Sequence, residues 1–279
     1  VHETIYVRQP QGFVKPGRDG RPQVCRLNKS IYGLKQSSRN WNQVIDKWLR
    51  AYGFVPSLAD PCVYRLVLKD GGILLVALYV DDLMVAGNSR ALVDQFKTAI
   101  AQRFKMKDLG TLKWMLGMQI IRDRKARTLE VLQTAYIDQM LEKFSMADCK
   151  PVKTPADGVL HRLDKGQPNA KYQSLVGGVL YAAMVTRPDI AYAVQALSRH
   201  MQASDNSHML AAMRVLRYLK GTRMLGIKFG SRTKDTTLIG YSDSDWAGDL
   251  DTRRSTTAYL YTMAGGAVSW TSKLQTTVA

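Results

Sequence analysis

Acidic side chains are scarce in this chain: 23 Asp and Glu stand against 40 Lys and Arg, a net charge of +17 with a pI near 9.8. That imbalance excludes an acidic solvating tail and points to phosphate-bearing partners, nucleic acid foremost. The excess is not one appended basic arm, because residues 1–150 hold 24 basic against 14 acidic residues and the remainder 16 against 9. Cysteine is almost missing. Cys25, Cys62 and Cys149 lie far apart, with no C-x-x-C spacing, so neither a disulfide framework nor a zinc site is expected, and a reducing compartment suits the chain. The four histidines, His2, His161, His200 and His208, have no metal-like spacing and read as ordinary surface or satisfied residues. Long apolar runs are also wanting: the longest, Ile73 to Val80, has eight residues where a spanning helix needs about 20. No membrane partner is expected. The chain lacks an initiator methionine and a signal region, opening on Val1-His2-Glu3 and closing on Thr277-Val278-Ala279, and it reads as a piece of something longer. What is present, 279 residues with 46% hydrophobic and 23% charged, is enough for one large or two modest globular domains.

Turn residues punctuate the chain. Pro10, Gly12, Pro16, Gly17, Gly20 and Pro22 mark an exposed loop early on. Trp41, Ile45, Trp48 and Leu49 then recur on one helical face, with Ser37 or Ser38 available as N-cap. The β-rich runs 62–68 and 73–80 are separated by Lys69-Asp70-Gly71-Gly72, a hairpin signal, and Asp81-Asp82 reverses the chain again before Leu83 to Gly87. A helix is expected through Leu92, Phe96, Ile100 and Phe104, strands over 112–121 and 129–132, and a further helix through Ile137, Met140, Leu141 and Phe144. Pro151, Pro155, Gly158, Gly166 and Pro168 mark a linker. Helices over 172–185, 189–201 and 207–220 follow, then short strands over 237–242, 256–263 and 267–271. The chain is α+β.

Tyr79-Val80-Asp81-Asp82 is the sharpest local feature, two adjacent carboxylates at the tip of a strand-turn-strand unit. Like charges about 4 Å apart repel by roughly 4 kcal/mol at an effective dielectric of 20, so a divalent cation or a nearby Lys or Arg is the natural companion. Hard oxygen ligands on a hairpin suit Mg²⁺. The plainer alternative is that Asp is a common turn residue.

Its neighbours widen the pattern. The Y-V-D-D hairpin, the stretch Glu3 to Phe13 (E-T-I-Y-V-R-Q-P-Q-G-F), the stretch Leu27 to Trp41 (L-N-K-S-I-Y-G-L-K-Q-S-S-R-N-W), Asp60-Pro61-Cys62-Val63-Tyr64, and Leu109-Gly110 through Leu116-Gly117-Met118 occur in order. Together they resemble the reverse transcriptases of copia-type LTR retrotransposons. Ser38 stands where that family usually has Pro. Further on, Thr186 to Val194 and Arg214 to Thr222 resemble the family's connecting segment, and Gly240 to Asp249 (G-Y-S-D-S-D-W-A-G-D) resembles the opening strand of its ribonuclease H domain.

The resemblance implies a right-hand polymerase palm and thumb over residues 1–150, a mainly helical connection over 151–230, and the start of a ribonuclease H-like sheet over 231–279. It implies RNA-directed DNA synthesis by two-metal nucleotidyl transfer, with Mg²⁺ held by Asp81 and Asp82, Asp81 the better direct ligand, and a second metal site at Asp243, with Asp245 as runner-up. Lys29, Tyr32, Gly33, Lys35, Gln36, Arg39 and Tyr79 are expected to contact nucleic acid. Arg214 and Arg217 join them on the basic face of the third helix of the later part, whose alternative is a solvated face. Partners would be an RNA template, a DNA primer, their hybrid and deoxynucleoside triphosphates, in a cytoplasmic particle or the nucleus. The family's first catalytic Asp block falls before Val1 and later ribonuclease H carboxylates fall after Ala279, so both sites are expected to be incomplete in this stretch. The rival reading is an inactive remnant that keeps only nucleic-acid binding. Leu260, Met263, Val268 and Trp270 are expected to lack a partner surface.

Overall fold

A computed structural model of the chain describes residues 3–158, 167–230 and 236–278. His2, His161 and Gly166 of the sequence reading lie outside these residues. The fold is α+β, and its contacts divide it into two compact units, 1–110 and 111–279.

In the first unit a short antiparallel pair, β1 (Tyr6–Arg8) and β2 (Val24–Arg26), precedes helix α1 (Ser37–Tyr52). Then come β3 (Val55–Pro56), β4 (Val63–Val67), β5 (Ile73–Tyr79) and β6 (Asp82–Gly87), an antiparallel meander in spatial order β3-β4-β5-β6, and helix α2 (Arg90–Arg103). Period two decides which side of the sheet is covered. Leu74, Val76 and Leu78 of β5 are buried with Tyr64 and Leu66 of β4, against Ile45 and Leu49 of α1 and Phe96 and Ile100 of α2. Ile73 and Leu75, on the opposite face, are exposed, so the apolar run is a one-sided strand and not one buried on both faces. The start of α1 differs from its expected cap. Gln36 occupies the N-cap position without a side-chain bond, because the Ser37 hydroxyl donates instead to the Ile31 carbonyl at 2.6 Å.

The second unit begins with β7 (Trp114–Met115), β8 (Met118–Asp123) and β9 (Thr128–Leu132), joined by β10 (Ile227–Phe229) in the order β10-β9-β8-β7. The single strand expected over 112–121 is thus a hairpin, folded at Leu116 and Gly117, both with positive φ. Helices α3 (Thr134–Lys143), α4 (Ala170–Val185), α5 (Ala191–Ser198) and α6 (Asn206–Gly221) share one core, in which Ile137, Leu175, Val194, Val215 and Leu216 are buried. The core therefore runs across position 150, joining α3 to the helices of the expected connection. Strands β11 (Ile239–Ser244), β12 (Arg254–Met263) and β13 (Gly266–Val278) form an antiparallel sheet in that order. Its last strand runs seven residues beyond the expected end at 271 and has found a surface: β13 packs on α5 and β10, and the Trp270 indole donates to the Ala183 carbonyl of α4 at 2.7 Å. Met263 and Val268 remain exposed, as expected of residues without a partner.

Candidate functional site

The Tyr79–Asp82 hairpin is built by the register of β5 and β6. Tyr79 and Asp82 are partners in the ladder, which leaves Val80 and Asp81 as a two-residue connection. Tight hairpins of this length need positive φ at one or both central positions, usually supplied by Gly or Asn. Here Val80 supplies it, at φ 52°, a costly conformation for a β-branched residue. A strained residue persists where its surroundings hold it. The holding contact is visible: the Trp41 indole on α1 donates to the Val80 carbonyl at 2.6 Å.

Both carboxylates of the hairpin stand exposed, and neither forms a hydrogen bond or ion pair through its side chain with any described residue. No described Lys or Arg forms an ion pair with either. As donors they are hard, anionic oxygens on adjacent residues, and they fit Mg²⁺, which binds through one or two carboxylates and completes its shell with water and substrate phosphate. Among the described residues no third Asp, Glu, His or Cys joins them in a metal-binding group.

The segment that leads into α1 carries the other expected contacts. Lys29, Tyr32, Lys35 and Arg39 are exposed and Gln36 is half-buried; the cations have no ion pair among the described residues. Tyr32 is 88% exposed, the posture of a stacking surface and not of a core residue. Gly33 sits at φ 95° with open space where a Cβ would stand. The segment is pinned to α1 by Asn40, whose side-chain amide donates to the Ser30 hydroxyl at 3.0 Å, and by the Ser37 bond to Ile31. Tyr79 is 55% exposed at the end of β5.

In the second unit the charged residues are arranged differently. Arg214 and Arg217 lie on the face of α6 opposite Ala212, Val215, Leu216 and Leu219, as the helical period requires, but they have intramolecular partners. Arg214 pairs with Asp157 at 2.8 Å and donates to the Thr154 hydroxyl at 2.9 Å; Arg217 donates to the Lys150 carbonyl at 2.8 Å and Lys220 to the Cys149 carbonyl at 2.8 Å. The basic face clamps the described part of the expected linker against the helix.

The acidic turn after β11 is likewise internally satisfied. Asp245 Oδ1 accepts from the Gly248 and Thr256 amides at 3.1 and 2.9 Å, and a Cβ at Gly248 would fall 2.6 Å from the same carboxylate. Asp249 is buried, accepts from the Thr252 amide and hydroxyl, and pairs with Arg199. Burial pushes the Asp249 carboxyl upward, but Thr252 and Arg199 outweigh it and hold it at about 2. Asp243, by contrast, is exposed on β11 and among the described residues accepts only from the adjacent Ser244 amide, at 2.8 Å. Asp245 is exposed too, but its Oδ1 is engaged by two backbone amides, which leaves Oδ2 as its open ligand atom. A cavity of about 60 Å³ beneath this turn is lined by Asp245, Asp249, Arg199 and Arg214, the first three bound to one another or to backbone.

Two histidines prove to be core residues. His200 and His208 are buried with ring centroids 4.2 Å apart, and His208 closes a capping box with Asp205 at the start of α6. Sequence reasoning missed the role of Trp41, whose signal was an aromatic N–H donor in the first turns of a helix that also carries the buried apolar stripe.

Comparison with known proteins shows what the chain is similar to. Residues 1–157 match the family described as reverse transcriptase (RNA-dependent DNA polymerase). The whole chain is 41% identical to the retrovirus-related Pol polyprotein from transposon TNT 1-94 of Nicotiana tabacum, of which it spans 22%, and over 98% of its length 38% identical to that from transposon RE2 of Arabidopsis thaliana, of which it spans 18%. The chain thus covers about a fifth of these two relatives. It is also 35% identical to a putative transposon Ty5-1 protein of Saccharomyces cerevisiae, with 98% of this chain and 88% of that protein aligned.

Proposed function

As the chain belongs to the copia-type retrotransposon reverse transcriptases, we propose that it contributes the metal-holding hairpin and part of the nucleic-acid path of an RNA-directed DNA polymerase. One observation carries this reading. Asp81 and Asp82, consecutive residues at a strained turn, are both exposed and form no ion pair with any described Lys or Arg. In this role Asp81 and Asp82 hold Mg²⁺, which when bound would activate a primer hydroxyl and stabilise the departing pyrophosphate. Tyr79 and the Lys29–Arg39 segment bind and orient the primer–template: Lys29, Lys35, Gln36 and Arg39 through phosphates, Tyr32 by stacking, and Gly33 by close backbone approach.

Residues 1–150 correspond on this reading to palm and thumb and 151–230 to a connection. The sheet of β11 to β13 would open a ribonuclease H-like domain with Asp243 as its exposed carboxylate. Arg214 and Arg217 serve the fold first, and nucleic acid would have to compete with Asp157 and Lys150 for them. RNA, DNA and deoxynucleoside triphosphates are the proposed partners. No described helix is long and apolar enough to cross a membrane.

The second reading, a binding-only remnant, draws on the lack of a third metal-binding side chain beside Asp81 and Asp82 among the described residues. The test is binding of an RNA–DNA primer–template to the full chain by fluorescence anisotropy, with and without Mn²⁺. A two-metal site predicts tighter binding with Mn²⁺ that is lost in Asp81→Asn/Asp82→Asn; a cation-independent affinity favours the remnant.

A further inference from the structure

The strain at Val80 and the bond that meets it belong together. Trp41 is held before it reaches the hairpin by its place on α1 and by Phe104, just after α2, whose ring stands edge-on to it at 5.4 Å and 80°; Phe104 is itself braced by Trp48 at 5.8 Å and 81°. Its single N–H then goes to a backbone carbonyl 39 residues away, at a turn that a β-branched residue would otherwise leave. A fixed donor aimed at a strained carbonyl is an arrangement that selects one backbone conformation. A parallel case in the second unit supports the interpretation. The Leu116–Gly117 turn has φ of 52° and 78°, and the Leu116 carbonyl accepts from the Tyr181 hydroxyl of α4 at 2.9 Å. In both units a tight turn with a positive-φ aliphatic residue is tied by an aromatic donor from a helix.

We propose that Trp41 is a positioning residue for the Asp81–Asp82 pair: its indole N–H holds the Val80 turn in the strained conformation that presents both carboxylates to a hard divalent cation. The proposal rests on the metal-holding reading of the hairpin and adds the residue that enforces its shape. It also links that shape to the nucleic-acid segment, since α1 carries Trp41, Arg39 and the Asn40 and Ser37 bonds that pin Ser30 and Ile31. A shift of α1 is therefore a shift of the hairpin.

The test uses the full chain. Trp41→Phe keeps a ring against Phe104 and removes the donor. Loss of one hydrogen bond predicts hydrogen exchange about five- to tenfold faster at the hairpin amides, with Mn²⁺ binding, read by electron paramagnetic resonance, weakened by a similar factor and the urea midpoint little changed. Trp41→His, whose Nε2–H occupies the position of the indole N–H, should restore both. In a Val80→Gly background, where positive φ is unstrained, Trp41→Phe should accelerate exchange no more than about twofold. Unchanged exchange in Trp41→Phe, or equal acceleration in both backgrounds, overturns the proposal. Mn²⁺ binding that is indifferent to Asp81→Asn/Asp82→Asn would overturn the metal reading instead, and the exchange comparison would still decide whether Trp41 enforces the turn.

Discussion

Two acidic turns, one in each unit, each carry a pair of aspartates in opposite circumstances. At Asp81 and Asp82 the carboxylates face solvent with no partner among the described residues; at Asp245 and Asp249 they accept backbone amides, a hydroxyl and an arginine. The cations expected to contact nucleic acid in the first unit contrast with four arginines of the second, although Arg50, Arg90 and Lys97 of the first unit are also paired. Lys29, Lys35 and Arg39 are free of ion pairs among the described residues, while Arg187, Arg199, Arg214 and Arg217 are bound within the second unit. A charged side chain left without a partner gives the fold little stability, so its removal costs the fold little; one that is partnered inside is part of the fold itself.

That contrast predicts where substitution disturbs stability. The largest effect is expected at Arg187, whose side chain is 1% exposed and bonds Asp189 at 2.7 Å and the Thr222 hydroxyl at 2.6 Å, locking the turn before α5 to the end of α6. Arg187→Met leaves Asp189 uncompensated and should destabilise the second unit by about 3–5 kcal/mol in urea unfolding. A loss below about 1 kcal/mol would break the contrast at its strongest point.

Acid provides the next test. Burial, with the His208 ring beside it, pulls His200 down to about 4. Its folded value lies below the unfolded one of about 6.5, so the unfolded chain binds the extra proton first and stability falls as pH drops from about 6.5 towards 4. The full effect is about 3 kcal/mol, and it should flatten in His200→Gln, read as unfolding midpoints at pH 7 and pH 4.5.

A smaller difference separates the two turns directly. Asp245→Ala strands two amides and should cost about 1–3 kcal/mol, whereas Asp81→Asn and Asp82→Asn should stay within about 0.5 kcal/mol of the parent and lean towards stabilisation as repulsion is relieved. Equal losses at the two turns would show that the hairpin carboxylates have structural work after all. Least disturbance to folding is expected from Lys29→Gln/Lys35→Gln/Arg39→Gln, which should leave the midpoint unchanged while the slope of log affinity against log salt for a primer–template becomes shallower by about 2–3. Arg217→Gln should do the reverse.

Local pattern explains what could be read in advance. The three-four spacing of Ala212, Val215, Leu216 and Leu219 follows from the helix period, and that face is buried where the period places it, whereas the unbroken apolar run over 73–80 marked a strand without showing which of its faces would be covered. The hairpin carboxylates were legible for a similar reason, since two Asp residues at a strand reversal need no distant information. The fate of Arg214 was not legible, because its partners Thr154 and Asp157 lie about 60 residues earlier in a stretch of turn residues with no period of its own. Asp245 and Asp243 differ only in which backbone amides come within reach, a matter of tertiary path. The fold of β7 back onto β8 at Leu116–Gly117 was hidden by apolar residues on both sides of the turn.

The core that joins α3 to α6 bears on the order in which the chain is made. Ile137, Met140, Leu141 and Phe144 emerge from the ribosome well before Val215, Leu216 and Leu219, the residues that complete their cover. Roughly 80 residues separate Ile137 from Leu219, and at about 5–20 residues per second translation takes some 4–16 s to supply them. During that interval the first unit, whose buried residues end at Ile100, already has its whole core, while α3 presents an uncovered apolar stripe. A chain cut at the end of the family match, residue 157, would freeze that interval permanently; one cut after Gly110 would end where the packing ends.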